Sequence, residues 1–529
     1  MSYPFERILI KLLEGLGSLG RLPNKEKQDG ASRGTFLLGW AYGLYRPREK
    51  ENISLSVPDL LRHLYILGAT GAGKTKLIES LIRECIKNQC GFSLIDPHGD
   101  LYISILKYLV DLVKAGKLPP SEKYLGKKLV LIEPHSQYCV GFNPLEAESS
   151  EAYAQVLEFM GIFRKLWADA YWGPRMEELL RNALITLSLN KLTLLEVKAL
   201  LSDVSFRNQL MAALPSGEVR EYWEWRYNPL SEKMQATYRE PLLNRLSVCV
   251  ADPSIRLLIG QTKSTINLRQ VMDQGQWLLV NLSKGHLKSN AHLLGSLLIA
   301  KLQLAAMSRV DLAEGQRRPH LVFVDEFQNF LSEDFETILS EARKYSLGLI
   351  LAHQNIDQLD RELRSAILGN TLTQVFFRLS NQDATVLAPE LSQKEKPIIQ
   401  RRLIDLDVGE AFYKKKAERP RLMKTFYVTP PEATAQDVEL IKQLSFATHG
   451  RLRQEVEEEI ARRMQAVTGR APAMPALGAE EDPYAGRFAP AGNFIEAEAE
   501  AEQRPRRGRK GNTNRRNTNH QARRHYEDG

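Results

Sequence analysis

Cysteine is scarce, with Cys85, Cys90, Cys139 and Cys249 the only four in 529 residues. No two of them stand in a C-x-x-C spacing, and no histidine cluster accompanies them. That argues against a structural zinc site and against a disulfide framework, and it suits the reducing cytoplasm. Cys85 falls on an apolar helical stripe and reads as core. Long apolar runs are lacking too. The two longest cover residues 35–45 and 293–306. The first is too short to span a bilayer. The second is interrupted by Lys301 and Gln303 and reads as a buried helix. No signal peptide and no transmembrane segment is expected, so the chain is placed in the cytoplasm, with peripheral docking at a membrane machine left open. Finally, the body lacks an excess of charge. Residues 501–529 hold nine Lys/Arg against Glu502, Glu527 and Asp528, so +6 of the net +8 sits in that tail. Any nucleic-acid surface on the body must be a local patch.

What the sequence does contain is concentrated around residues 63–75, HLYILGATGAGKT. Leu64–Leu67 is a short apolar run, as in a buried parallel strand. Gly68, Ala69, Thr70, Gly71, Ala72, Gly73, Lys74 and Thr75 then match G-x-x-x-x-G-K-[ST]. Leu77, Ile78, Leu81, Ile82, Cys85 and Ile86 form one helical stripe after it. Strand, glycine loop and helix stand in the order that a phosphate cradle needs. Backbone N–H groups and the helix N-terminus face the anion. Lys74 can reach the outer phosphates and the Thr75 hydroxyl can ligate Mg²⁺. The expected ligands are therefore ATP and Mg²⁺.

A second strand, over residues 91–95, ends in Asp96, Pro97, His98, Gly99 and Asp100. Asp96 and Asp100 could position Mg²⁺-bound water or the neighbouring subunit, or the segment could be a plain turn. Residues 321–324 form an apolar strand ending in Asp325 and Glu326. Asp325 can hold Mg²⁺ through water, and Glu326 can deprotonate the water that attacks the γ-phosphate. Residues 348–352 form a further strand that runs into His353 and Gln354, and a glutamine there can sense the γ-phosphate. Arg343 precedes that strand by a few residues; it is either a charge facing a neighbouring subunit or a solvated helix charge.

The sequence divides into five stretches. Residues 1–50 form an N-terminal segment, with a helix expected over 5–16 and a strand or hairpin over 36–45. Residues 51–145 and 271–446 form two halves of one α/β domain. Between them, residues 146–270 are poor in glycine and read as an all-α insertion. Trp223 and Trp225 in that insertion read as packing residues. Residues 447–529 hold a charged helix and then a Pro/Ala/Gly-rich, Glu/Ala-alternating and finally basic tail that is expected to be disordered.

The ordered set GATGAGKT, LIDPHGDL, GFNPL, WGPRMEELLRNAL, LVFVDEFQNF, EARKYSLGLILAHQ and VFFRLSNQDA resembles the coupling-protein ATPases of type IV secretion, within the larger HerA/FtsK group of DNA translocases. The resemblance runs from about residue 50 to about residue 430. It implies a RecA-like P-loop motor domain with an all-α insertion, assembled as a hexameric ring that pumps DNA. By position it makes Lys74 and Thr75 the nucleotide-binding pair and Asp325 and Glu326 the metal and catalytic acids. It makes Gln354 the sensor and Arg343 a finger acting on the next protomer. DNA, relaxase and transfer machinery are the implied partners. A HerA-type repair translocase working with a nuclease, and an ATP-switched recruitment module for relaxase or secreted substrates, stay open as alternatives.

Overall fold

The computed structural model describes residues 34–42, 50–167, 172–283, 287, 290–330, 335–416 and 418–468. The helix expected over residues 5–16 and the tail beyond residue 468 lie outside them. Strands run in chain order as β1 (Thr35–Tyr42), β2 (Glu51–Ser56), β3 (Leu64–Leu67), β4 (Gly91–Asp96), β5 (Leu129–Ile132) and β6 (Tyr138–Cys139). They continue as β7 (Trp277–Asn281), β8 (His320–Val324), β9 (Leu347–His353), β10 (Thr373–Phe376), β11 (Glu410–Lys415), β12 (Arg421–Thr425) and β13 (Arg451–Leu452).

Eleven of these form one sheet in the order β2-β1-β12-β11-β10-β3-β9-β8-β4-β7-β5. From β10 to β5 every neighbouring pair is parallel. From β10 outward to β2 every pair is antiparallel. The parallel strands are buried along nearly their whole length, as a sheet covered on both faces requires. The strand order places the glycine-loop strand β3 near the middle, with β9 and then β8 beside it. The C-terminal ends of β3, β8 and β9, which carry the three candidate motifs, therefore lie side by side.

The strand expected near residues 36–45 is present as β1. It pairs with β2 and β12, so residues 35–42 belong to the same sheet as the rest of the body. Helix α1 (Lys74–Lys87) follows the glycine loop and buries Leu77, Ile78, Leu81, Ile82, Cys85 and Ile86. Helix α2 (Asp100–Lys114) follows β4.

No strand occurs among the described residues between β6 and β7. The helices there include α3 (Ala152–Leu166), α4 (Pro174–Leu189) and α5 (Glu232–Val250). Trp223 is fully buried and donates its indole N–H to Thr186 Oγ1 at 2.8 Å, a packing role. Trp225 differs from the expectation: it is 70% exposed.

Helix α6 (Asn290–Met307) lies against α3 and α5. Among the described residues, 290–311 is the one stretch long and apolar enough to cross a membrane, and two thirds of its window is buried inside the fold. Lys301, which interrupts it, donates to the Glu146 carbonyl at 2.6 Å and to Gln155 Oε1 at 2.7 Å. Burial pushes its ammonium down to about 8. The charge thus ties the core helix to the start of the insertion.

Helix α7 (Ala435–His449) packs against α2 and β5. Then β13 pairs with β6, and α8 (Arg453–Thr468) returns to the insertion. Val456 and Ile460 pack with Cys139, Leu195 and Leu257, and Arg463 pairs with the wholly buried Glu196 at 2.8 Å.

Candidate nucleotide site

The glycine loop is held by its neighbours. The Ala69 N–H donates to the Arg378 carbonyl just past β10 (2.8 Å), and the Gly409 N–H donates to the Ala72 carbonyl (2.9 Å). Gly68 is required by close approach, because a Cβ there would lie 2.6 Å from Phe377 Cβ. Gly73 is required by conformation, with φ at +121° immediately before α1. Lys74 Nζ donates to the Gly68 and Ala69 carbonyls at 2.6 and 3.2 Å, so its charge lies inside the curl of the loop. Burial lowers the Lys74 pKa, and the nearby Asp325 and Glu326 carboxylates oppose that shift.

The acids at the end of β8 meet this loop. Thr75 Oγ1 donates to Asp325 Oδ2 at 3.5 Å. Glu326 has φ +49°, a left-handed conformation uncommon for a glutamate. Its N–H donates to Asp325 Oδ1 at 3.0 Å, and Asn329 closes the turn by donating backbone and side-chain N–H groups to the Glu326 carbonyl. Phe327 and Phe330 are buried on the other side of the turn.

Gln354 bridges the two motifs. Its Nε2 donates to Glu326 Oε1, and its Oε1 accepts from Thr70 Oγ1 at 2.6 Å. A continuous path of hydrogen bonds therefore runs from the tip of the glycine loop through the β9 end to the β8 glutamate.

Burial pushes the Asp325 carboxyl up to about 6, helped by the negative charges of Glu326 and Asp96 and opposed by Lys74. This crowding of acids beside an exposed threonine hydroxyl suits a hard divalent cation. Thr75 Oγ1 and Asp325 would hold Mg²⁺, which supplies charge neutralisation on the phosphates. No cluster of three or more His, Cys, Asp or Glu side chains forms a metal cage among the described residues. Mg²⁺ in such sites relies on few protein ligands, completing its shell with water and phosphate.

Two acids read from the β4 loop separate here. Asp96 is buried and accepts from the His98 and Tyr102 N–H groups, both at 2.9 Å, which fixes the entry to α2. Asp100 and His98 are exposed. Arg343 does not join the site within one chain. It is exposed, in a short turn at Ala342–Tyr345 before the N-terminal end of β9, whereas the glycine loop lies at the other end of the strands. Gln328 was missed from the sequence. It donates to Glu326 Oε2 at 2.7 Å. Its place two residues after the acid pair was the available signal.

Sheet order, glycine loop and an acid-ended strand one place beyond its neighbour together define a RecA-like P-loop ATPase fold. The family model for the type IV secretion-system coupling protein DNA-binding domain matches residues 49–395, and the chain belongs to that family. Solved structures agree in fold. The bacterial conjugative coupling protein TrwBdeltaN70, in an unbound form, is similar at TM-score 0.52 and 14% identity, covering 72% of this chain and 89% of that one. The plasmid coupling protein TrwB in complex with the ATP analogue ADPNP is similar at TM-score 0.51 and 16% identity, covering 71% and 88%. TrwB in complex with ADP and Mg²⁺ is similar at TM-score 0.51 and 14% identity, covering 74% and 89%. Among curated protein sequences, none matches the chain.

Proposed function

We propose that this chain is an ATP-driven DNA translocase of type IV secretion. It would work as a hexameric ring in the cytoplasm, docked at the transfer machinery, and move DNA delivered by a relaxase. The observation that carries the reading is the hydrogen-bonded path Thr70–Gln354–Glu326 beside the Thr75–Asp325 contact. It joins phosphate loop, sensor and general base in one unit. Membership of the coupling-protein family and the Mg²⁺–ADP and ADPNP complexes of TrwB support the same chemistry here.

Lys74 would exchange its bonds to the Gly68 and Ala69 carbonyls for the β- and γ-phosphate oxygens. Water attacks the γ-phosphorus, the bond to the β–γ bridging oxygen breaks, and the proton of the water passes to Glu326. Gln354 Nε2 carries a second N–H, which would donate to the γ-phosphate, so that loss of that phosphate is felt at the β9 end. Arg343 would complete the site of the next copy. A head-to-tail ring sets the back of one protomer against the front of its neighbour. Arg343 lies at the N-terminal strand ends, the back with respect to the glycine loop. DNA contacts would be mostly to phosphate and therefore sensitive to salt.

Steady-state ATPase assays on the wild type and on Lys74→Ala test the site. Hydrolysis is expected in the wild type and lost in the variant; wild-type turnover in Lys74→Ala would contradict the assignment.

A further inference from the structure

We infer that Gln328 is a positioning residue for the general base: with Gln354 it grips the Glu326 carboxylate by both oxygens and sets the direction of its free lone pairs. This rests on the reading of Glu326 as the base. Gln354 Nε2 donates to Oε1, and Gln328 Nε2 donates to Oε2 at 2.7 Å. Each oxygen keeps one acceptor position, so the carboxylate can still take a proton from water but cannot rotate freely. The amide of Gln328 cannot be turned over, because its oxygen would then face a carboxylate.

The turn that presents Gln328 is built around this contact. Phe327 packs edge-on against Tyr65 and His353, at centroid distances of 6.4 and 4.9 Å, and Phe330 is buried against Gly295. With both aromatics turned inward and Asn329 bonded to the Glu326 carbonyl, Gln328 is the side chain of the turn directed at the carboxylate.

A second observation separates a positioning role from a structural one. Gln328 Oε1 is buried and has no hydrogen-bond partner. A buried, unpaired carbonyl disfavours the fold. Glutamine is thus a poor choice for packing alone, and an apolar side chain of similar length would fill the space at lower cost. What the amide contributes is its bond to Glu326.

The test is Gln328→Met, with Gln328→Ala as a second variant should the first misfold. Gln328→Met is expected to melt at or above the wild-type temperature and to bind a fluorescent ADP analogue as the wild type does. Its kcat for ATP should fall at least about 10-fold with KM for ATP unchanged, because the base is no longer held in line with the attacking water. A crystal structure of the variant should find the Glu326 carboxylate rotated away from its wild-type direction. A wild-type kcat, an unmoved carboxylate, or a melting temperature that falls in step with activity would each overturn the inference. The crystallographic readout needs no turnover. If the wild type itself fails to hydrolyse ATP, the proposed function falls, while the grip on Glu326 is still decided by the side-chain orientation.

Discussion

Acid should loosen the part of the sheet that carries the nucleotide site, and the size of the effect follows from three buried histidines. His63 stands at the start of β3, His320 opens β8 and His353 closes β9. Burial lowers the pKa of His63 to about 4, against a hydrogen bond to the Leu339 carbonyl that opposes the shift. Burial lowers His320 to about 3, helped by the charges of Arg309, Lys128 and Arg318. Burial lowers His353 to about 3, opposed by Gln358. All three are neutral in the folded chain, where Ser93 Oγ meets His320 Nε2 at 2.8 Å and the Tyr65 hydroxyl meets His353 Nε2 at 2.6 Å.

In the unfolded chain each titrates near its ordinary value of about 6.5. Stability is therefore full above that value and is lost as pH falls toward the folded values of about 3 to 4. At about pH 5, roughly 1.5 pH units below the unfolded value, each histidine withdraws about 2 kcal/mol. Asp325 works the other way. Its folded pKa of about 6 lies above the ordinary 3.8, so it restores stability as pH falls through that window. That return is about 1 kcal/mol at about pH 5, leaving a net loss of about 5 kcal/mol, a large share of the stability of a typical domain.

Urea unfolding followed by far-ultraviolet circular dichroism at about pH 8 and about pH 5 measures the loss. The midpoint should fall steeply at the lower pH, and His320→Gln should remove about a third of the histidine contribution. A midpoint that holds or rises on acidification would mean that the three imidazoles take up protons without loss of the fold.

Two substitutions probe the site itself. Glu326→Gln should keep nucleotide affinity, because Lys74 and the glycine loop are untouched, while kcat falls by at least about 100-fold for want of a base; fast turnover would remove Glu326 from that role. Arg343→Ala should suppress wild-type activity when the two are mixed before assembly, since each altered copy would disable the site of its neighbour. Activity that simply follows the fraction of wild-type chain would argue against a shared site.

Much of this arrangement was legible in the residues, and the physical reason is local. A phosphate loop needs glycine at fixed offsets, and acids that meet it must end a buried strand, so residues 63–75 and 321–326 announce themselves. Gln354 stood out for the same reason, at the end of the apolar run now seen as β9. Other features depend on contacts distant in sequence. Nothing in residues 35–42 signals pairing with Arg421–Thr425, nearly four hundred positions on, yet that pairing places β1 in the sheet. Asp96 and Asp325 look alike as strand-ending acids. Only the structure separates them, one satisfied by the His98 and Tyr102 N–H groups and the other facing Thr75. The burial of Trp223 and the exposure of Trp225 likewise follow from how the helices of residues 146–270 pack, in a stretch where helical periodicity alone does not fix which face turns inward.

The central claim is that ATP cleavage between neighbouring copies drives DNA through a ring. It is tested most directly by measuring ATP turnover with and without duplex DNA across a range of salt, on the same preparation imaged as single particles. The account predicts closed rings whose turnover rises with DNA, with the increase shrinking as salt rises. A single-copy particle whose hydrolysis is indifferent to DNA at every salt concentration would contradict it.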